Sequence, residues 1–165
     1  MQSVLDPPLP VQALWPAKFN LFGVDITSTN YTGAADVILS AARRRQGGLV
    51  TALAVHGVIE SSLDPKLNRI INAYDMVTPD GQPVRFAMNA LHASDMATRV
   101  AGPDLMLLVC ERAACDGVSI YLYGSTQMVV ETLRDQLVHK FPDLQVAGCE
   151  PSIFRPLSAD ESQEL

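Results

Sequence analysis

The residues most suggestive of chemistry lie in Met76-Val77-Thr78-Pro79-Asp80-Gly81-Gln82-Pro83. A run ending in Tyr74-Asp75-Met76-Val77 has the character of a short buried strand, and it breaks into Pro-Asp-Gly. Pro79 fixes φ, Asp80 is able to bond its own backbone, and Gly81 tolerates positive φ. A helical pattern follows from about Val84. A carboxylate at the mouth of a strand, in a tight turn ahead of a helix, is where α/β proteins place working groups. A plain turn is the competing reading, and on these residues alone it is the stronger one.

Three further stretches bear on the same chemistry. Thr51 lies on an apolar strand and, in a parallel sheet, near the same end as Asp80; the crevice outside such strand ends is the usual ligand site. Arg99-Val100-Ala101-Gly102-Pro103-Asp104 joins a cation to a Gly-Pro turn and an acid. Arg99 suits a bidentate clamp on a diphosphate, against the alternative of a plain surface arginine, and Asp104 suits an N-cap. Tyr123-Gly124-Ser125-Thr126 is a strand-loop-helix junction, so Gly124 and Ser125 offer either a phosphate cradle or a simple turn. No GxGxxG or GxxxxGK[ST] motif is present. The three histidines (His56, His92, His139) have no metal-ligand spacing, and no Asp-x-Asp pair occurs, so no metal and no cofactor is expected. No Ser-His-Asp or Cys-His arrangement follows from spacing.

The elements that must position these groups alternate. A strand pair turns near Gly23, and a helix over about 32–46 is capped by Thr29 or Asn30. A buried strand spans 49–54, helices follow over 56–62 and 65–72, and the second of them starts at Asp64-Pro65. Strand 75–78 leads to helices over 84–91 and 105–115. Strand 118–123, helix 127–140 and strand 144–148 complete the series, and a further helix is expected from about Ser158. This order implies βαβ units: an α/β fold with a mostly parallel, Rossmann-like sheet flanked by helices, in a single domain. Residues 1–18, with four prolines, read as an extended arm ahead of a domain over 19–165.

Composition narrows the function classes. The chain has 165 residues, of which 48% are hydrophobic and 18% charged, so it is globular. A net charge of -6 with no basic stripe argues against nucleic acid. Three cysteines without a CxxC read as core thiols in a reducing compartment. No apolar run is long enough to span a membrane, and Met1 to Pro10 does not resemble a signal peptide.

Taken in order, Phe22-Gly23-Val24-Asp25-Ile26, Val50-Thr51, Asp75–Gly81, Arg99–Met106, Leu122–Ser125 and Phe141–Gly148 resemble the WecG/TagA/CpsF glycosyltransferases. The resemblance implies transfer of a sugar from a UDP-sugar to an undecaprenyl-diphosphate-linked saccharide, with inversion and without metal, at the cytoplasmic membrane face. It implies Asp80 as the base. Thr51 and Arg99 match family positions, and Gly81, Gln82, Gly102, Asp104, Gly124 and Ser125 join them as expected substrate contacts.

Two departures carry expectations of their own. Where the family usually has an asparagine two residues after that threonine, this chain has Leu53. The family pattern also continues past this point, through another strand and a Gly-x-Pro-x-Gln-Glu motif, to a membrane-binding tail. A chain ending at Leu165 is therefore expected to have an incomplete site, weak activity and a tendency to form homo-oligomers. A degenerate family member that binds ligand or assembles without turnover is the alternative, and a nucleotide-dependent oxidoreductase is a distant third.

Overall fold

The computed structural model describes residues 15–153. Strands β1 (Lys18–Leu21) and β2 (Val24–Thr27) lead into α1 (Tyr31–Arg43). β3 (Val50–Leu53), α2 (Val55–Leu63), α3 (Pro65–Asn72), β4 (Met76–Pro79) and α4 (Gln82–His92) follow. The remainder is α5 (Gly102–Asp116), β5 (Ile120–Tyr123), α6 (Gln127–Lys140) and β6 (Val146–Glu150). The α/β class is as the alternation implies. The described residues form two compact units, one of 15–33 with 47–101 and one of 34–46 with 102–153.

In the first unit β1 and β2 form an antiparallel hairpin, and β3 and β4 a parallel pair with Val50 opposite Met76 and Leu53 opposite Pro79. Phe22 and Gly23, both with positive φ, make the two-residue hairpin loop, whose twist matches that of the flanking strands. Asn20 accepts from the Gly23 N–H at 3.0 Å, and Asn68 and Asn72 donate to the Gly23 carbonyl. Between β2 and β4 a side chain replaces a ladder: the buried Val77 N–H donates to Thr27 Oγ1 at 3.0 Å. The core gathers Leu21, Val24, Ile26, Leu53, Val77 and Met88, with Val58 of α2 and Ile71 of α3. Asp64 begins α3 by accepting from the Lys66 and Leu67 N–H groups ahead of Pro65, the expected cap.

In the second unit β5 and β6 are parallel, with an irregularity between Ile120 and Tyr121. Leu39, Cys110, Ala113, Leu137 and Leu144 form the core, with Ile120, Leu122 and Val146 packed against it. Arg43 pairs with Asp116, and Arg112 with Asp36.

Several expectations change. Within the first unit β1–β2 and β3–β4 pair separately among the described residues; the Val77 N–H on the edge of β4 is taken by Thr27 Oγ1 instead of a backbone carbonyl of β2. Pro79 is the last residue of β4, where the ladder needs no N–H from it, rather than the opening of a turn. α5 starts at Gly102, so Asp104 sits inside the first turn instead of capping it. Of the two cap candidates for α1, Asn30 is the one that accepts from Gly33 N–H, at 2.9 Å, so that expectation holds. Of the cysteines, Cys110 is buried and Cys149 partly so, but Cys115 is exposed and is no core thiol. Most of the proline-rich arm and the helix expected from Ser158 lie outside the described residues.

Replacing Thr27 with Val should leave the buried Val77 N–H unpaired at nearly constant volume. A loss of about 1–3 kcal/mol is expected, read as a lower urea midpoint with unchanged slope. Thr27→Ser, which keeps the acceptor, should lose less.

Candidate active site

The carboxyl ends of β3 and β4 converge on Asp80. Its N–H donates to the Leu53 carbonyl at 3.1 Å, which extends the parallel pairing one step past Pro79. The chain then turns at Gly81, whose φ of 93° and ψ of 148° strain any residue with a Cβ, and Gly81 is the N-cap of α4. Asp80 is therefore half-buried between a strand end and a helix start, as the Pro-Asp-Gly reading anticipates.

The Arg99 loop is tied to the same strand. Val100 N–H donates to the Pro79 carbonyl at 2.9 Å, and the buried Thr78 hydroxyl donates to the Val100 carbonyl at 3.1 Å. The next N–H, of Ala101, donates to Tyr31 Oη at 3.0 Å. These bonds flank Arg99 closely on its carboxyl side and hold its backbone beside Pro79-Asp80. Arg99 is exposed and pairs with no acid among the described residues. The Asp80 turn and the Arg99 loop thus meet at one strand end; by chemistry a carboxylate suits proton uptake and a guanidinium suits an oxyanion.

Other expected contacts are placed less directly. Thr51 sits opposite Val77, upstream of the strand end. It shares a face with Leu53 by strand alternation, and Leu53 is packed in the core. The position expected to carry an asparagine therefore contributes packing. Gln82, the first residue of α4, accepts from Arg85 Nε at 2.8 Å. Thr78 and Tyr31 did not stand out in the sequence: one looks like any strand threonine and the other like any helix-start aromatic. Their roles come from bonds to residues 22 and 70 positions away.

Gly102, Asp104, Gly124 and Ser125 belong to the second unit. Gly102 and Asp104 form the first turn of α5. Gly124, with φ 136°, donates its N–H to the Glu150 carbonyl at 3.0 Å, and Ser125, with φ 59°, accepts from Ser152 N–H at 3.1 Å. The Gly124 N–H is thus engaged within the fold. Thr126 gives α6 no side-chain cap, so an anion at this loop would be met by the first-turn N–H groups of α6. A cavity of about 440 Å³ runs beside the loop, lined by Met106, Tyr121, Tyr123, Ser125 and Leu133 among others. Among the described residues no group of three or more His, Cys, Asp or Glu is placed to hold a metal ion, and no helix is long and apolar enough to cross a membrane.

A strand end that leads into Asp80, with the Arg99 loop bonded to it and a helix following, lies where α/β proteins commonly bind ligands. Residues 19–165 match the model of the glycosyl transferase WecG/TagA/CpsF family, and the chain belongs to that family. It is similar to the N-acetylglucosaminyldiphosphoundecaprenol N-acetyl-beta-D-mannosaminyltransferase of Bacillus spizizenii, with 24% identity over 89 residues. That alignment covers 54% of this chain and 34% of the relative, so the chain matches about a third of that relative's length.

Beside the cavity, the Tyr121 phenol is raised above its ordinary value of 10.0, first by the Glu150 carboxylate as hydrogen-bond acceptor, then by burial and the nearby charges of Glu150 and Cys149. The fold favours the neutral phenol, so its contribution is present below the ordinary value and is lost as the pH rises through the raised one. Glu150→Gln should return Tyr121 toward that ordinary value in an NMR titration of the ring protons. A value that stays raised would assign the shift to burial instead.

Proposed function

We propose that this chain carries the donor-side chemistry of an inverting glycosyltransferase. It moves a sugar from a UDP-sugar to an undecaprenyl-diphosphate-linked saccharide in bacterial surface or exopolysaccharide synthesis. The observation that carries the reading is the strap between the Arg99 loop and β4, which holds the backbone next to an exposed arginine against the strand end that leads into Asp80. Family membership supplies the reaction class, and the Bacillus relative is named for transfer to a diphosphoundecaprenol-linked sugar.

In this reading the acceptor hydroxyl attacks the anomeric carbon as the bond from that carbon to the UDP oxygen breaks. Asp80 takes the hydroxyl proton, and UDP leaves with the bonding pair. Arg99 meets the charge that grows on the diphosphate. Thr51, Gly81 and Gln82 are the substrate contacts of the first unit in this reading; Gly102, Asp104, Gly124 and Ser125, carried by the second unit, are candidate substrate contacts in their own right. The protein works at the cytoplasmic face of the membrane as a peripheral, self-associating enzyme. Without an Asp-x-Asp pair, the leaving group is met by Arg99 and backbone donors and not by a divalent cation.

A second reading is a family member that binds without turnover, favoured by the burial of Leu53 in the core. It predicts UDP binding with no transfer by the full-length gene product.

Asp80→Asn should keep the fold and UDP affinity while lowering transfer by about a hundredfold or more. Unchanged turnover would remove Asp80 from the mechanism. EDTA should leave the rate of the full-length product unaltered, and a loss restored by manganese would contradict the metal-independent reading. Tighter binding of NAD than of UDP would redirect the assignment to an oxidoreductase.

A further inference from the structure

Arg85 and Asn89 lie one turn apart on α4 and face the chain that leads to Arg99. Asn89 holds that chain at three points. Its Nδ2 donates to the Met96 carbonyl at 2.9 Å, and its Oδ1 accepts from Met96 N–H at 2.9 Å and from Ser94 Oγ at 2.8 Å. Arg85 Nη1 donates to the carbonyls of Met96 and Ala97 at 2.8 and 3.0 Å, while its Nε donates to Gln82. The guanidinium also lies 4.4 Å from the centre of the Phe86 ring. Nη1 thus holds the loop, while Nε and the guanidinium face are braced against α4 itself.

The held segment is conformationally demanding. Ala93 and Asp95 both have φ of 48°, a region that non-glycine residues enter only when the surroundings impose it. Met96 between the fastened carbonyls is buried. Three residues after Met96 comes Arg99, followed at once by the Val100–Pro79 and Thr78–Val100 bonds. The arginine backbone is therefore fixed from both sides: by β4 after it and by α4 before it. Because α4 starts at Gly81-Gln82, the same helix registers the Asp80 turn against the Arg99 loop.

We infer that Arg85 and Asn89 are positioning residues that set the reach of Arg99 toward the anionic leaving group. This rests on the proposed role of Arg99 at the diphosphate. Loss of either pin lets the 94–98 segment relax, so the arginine is present but misplaced, a kind of error that costs affinity without unfolding the unit.

The test measures UDP binding by calorimetry and trypsin cleavage after Arg99. It uses the full chain and the variants Asn89→Ala, Arg85→Ala, Arg99→Ala and the double variant Asn89→Ala/Arg99→Ala. Arg99→Ala should weaken UDP by about tenfold or more. Asn89→Ala should retain native circular dichroism, weaken UDP to a similar extent and be cut faster after Arg99. The double variant should bind no more weakly than Arg99→Ala, because both changes remove one contact. Additive losses, or a folded Asn89→Ala with unaltered UDP affinity, overturn the positioning role while leaving Arg99 at the diphosphate. Unaltered UDP binding by Arg99→Ala removes the reading of Arg99 itself, and the inference with it. If Asn89→Ala does not fold, Arg85→Ala at the half-buried position decides: no loss of UDP affinity in that folded variant also overturns the inference.

Discussion

The structure of the first unit depends on how the end of β4 satisfies its polar groups. Thr78 and Pro79 are buried, and a buried carbonyl or hydroxyl without a partner costs about 1–3 kcal/mol. β3 pairs with one edge of β4. The opposite needs are met by Val100, whose N–H takes the Pro79 carbonyl and whose carbonyl takes the Thr78 hydroxyl. This exchange draws residues 99–101 against the strand end where Asp80 emerges. The same bonds that remove a desolvation penalty therefore hold the Arg99 backbone next to the Asp80 turn, and Tyr31 completes them at Ala101.

Much of this was legible because it is local. Asp64-Pro65 marks the start of α3, and α3 and α6 span the residues that periodicity and capping assign to them. The Pro-Asp-Gly turn could be read because Gly81 is needed for one backbone conformation. Thr27, Thr78 and Tyr31 could not be read, for a shared physical reason. Each acts through a side-chain bond to backbone at a distance in sequence, and a polar residue with that future is spelled like one that faces water. The separation of β2 from β4 was hidden in the same way, since a threonine hydroxyl takes the Val77 N–H between them. Asp104 shows a different limit. Its spacing suits a cap, but Gly102-Pro103 is itself compatible with the first turn, and the helix begins earlier.

Leu53 illustrates how one position changes role without changing the fold. It ends β3, pairs with Pro79 and gives its carbonyl to Asp80 N–H, so its backbone supports the turn whatever its side chain is. The side chain joins Val58, Val77 and Met88 in the core. An asparagine there would have to satisfy an amide at the edge of that core or turn it toward the strand ends. The backbone contribution to placing Asp80 thus survives even where a polar contact does not.

The charge of the chain bears on how an anionic donor is held. A net charge of -6 opposes a diphosphate at long range, but at physiological ionic strength that field is screened beyond about 8 Å. What decides binding is the few charges and dipoles within reach of the site. Beside the Asp80 turn, Arg99 is exposed without a carboxylate partner among the described residues. Arg85 is engaged with backbone carbonyls and Gln82. An acidic protein can hold an anion if one cation is kept unneutralised and fixed in place. For the Arg99 backbone, the bonds to β4 on one side and to α4 on the other supply the fixing.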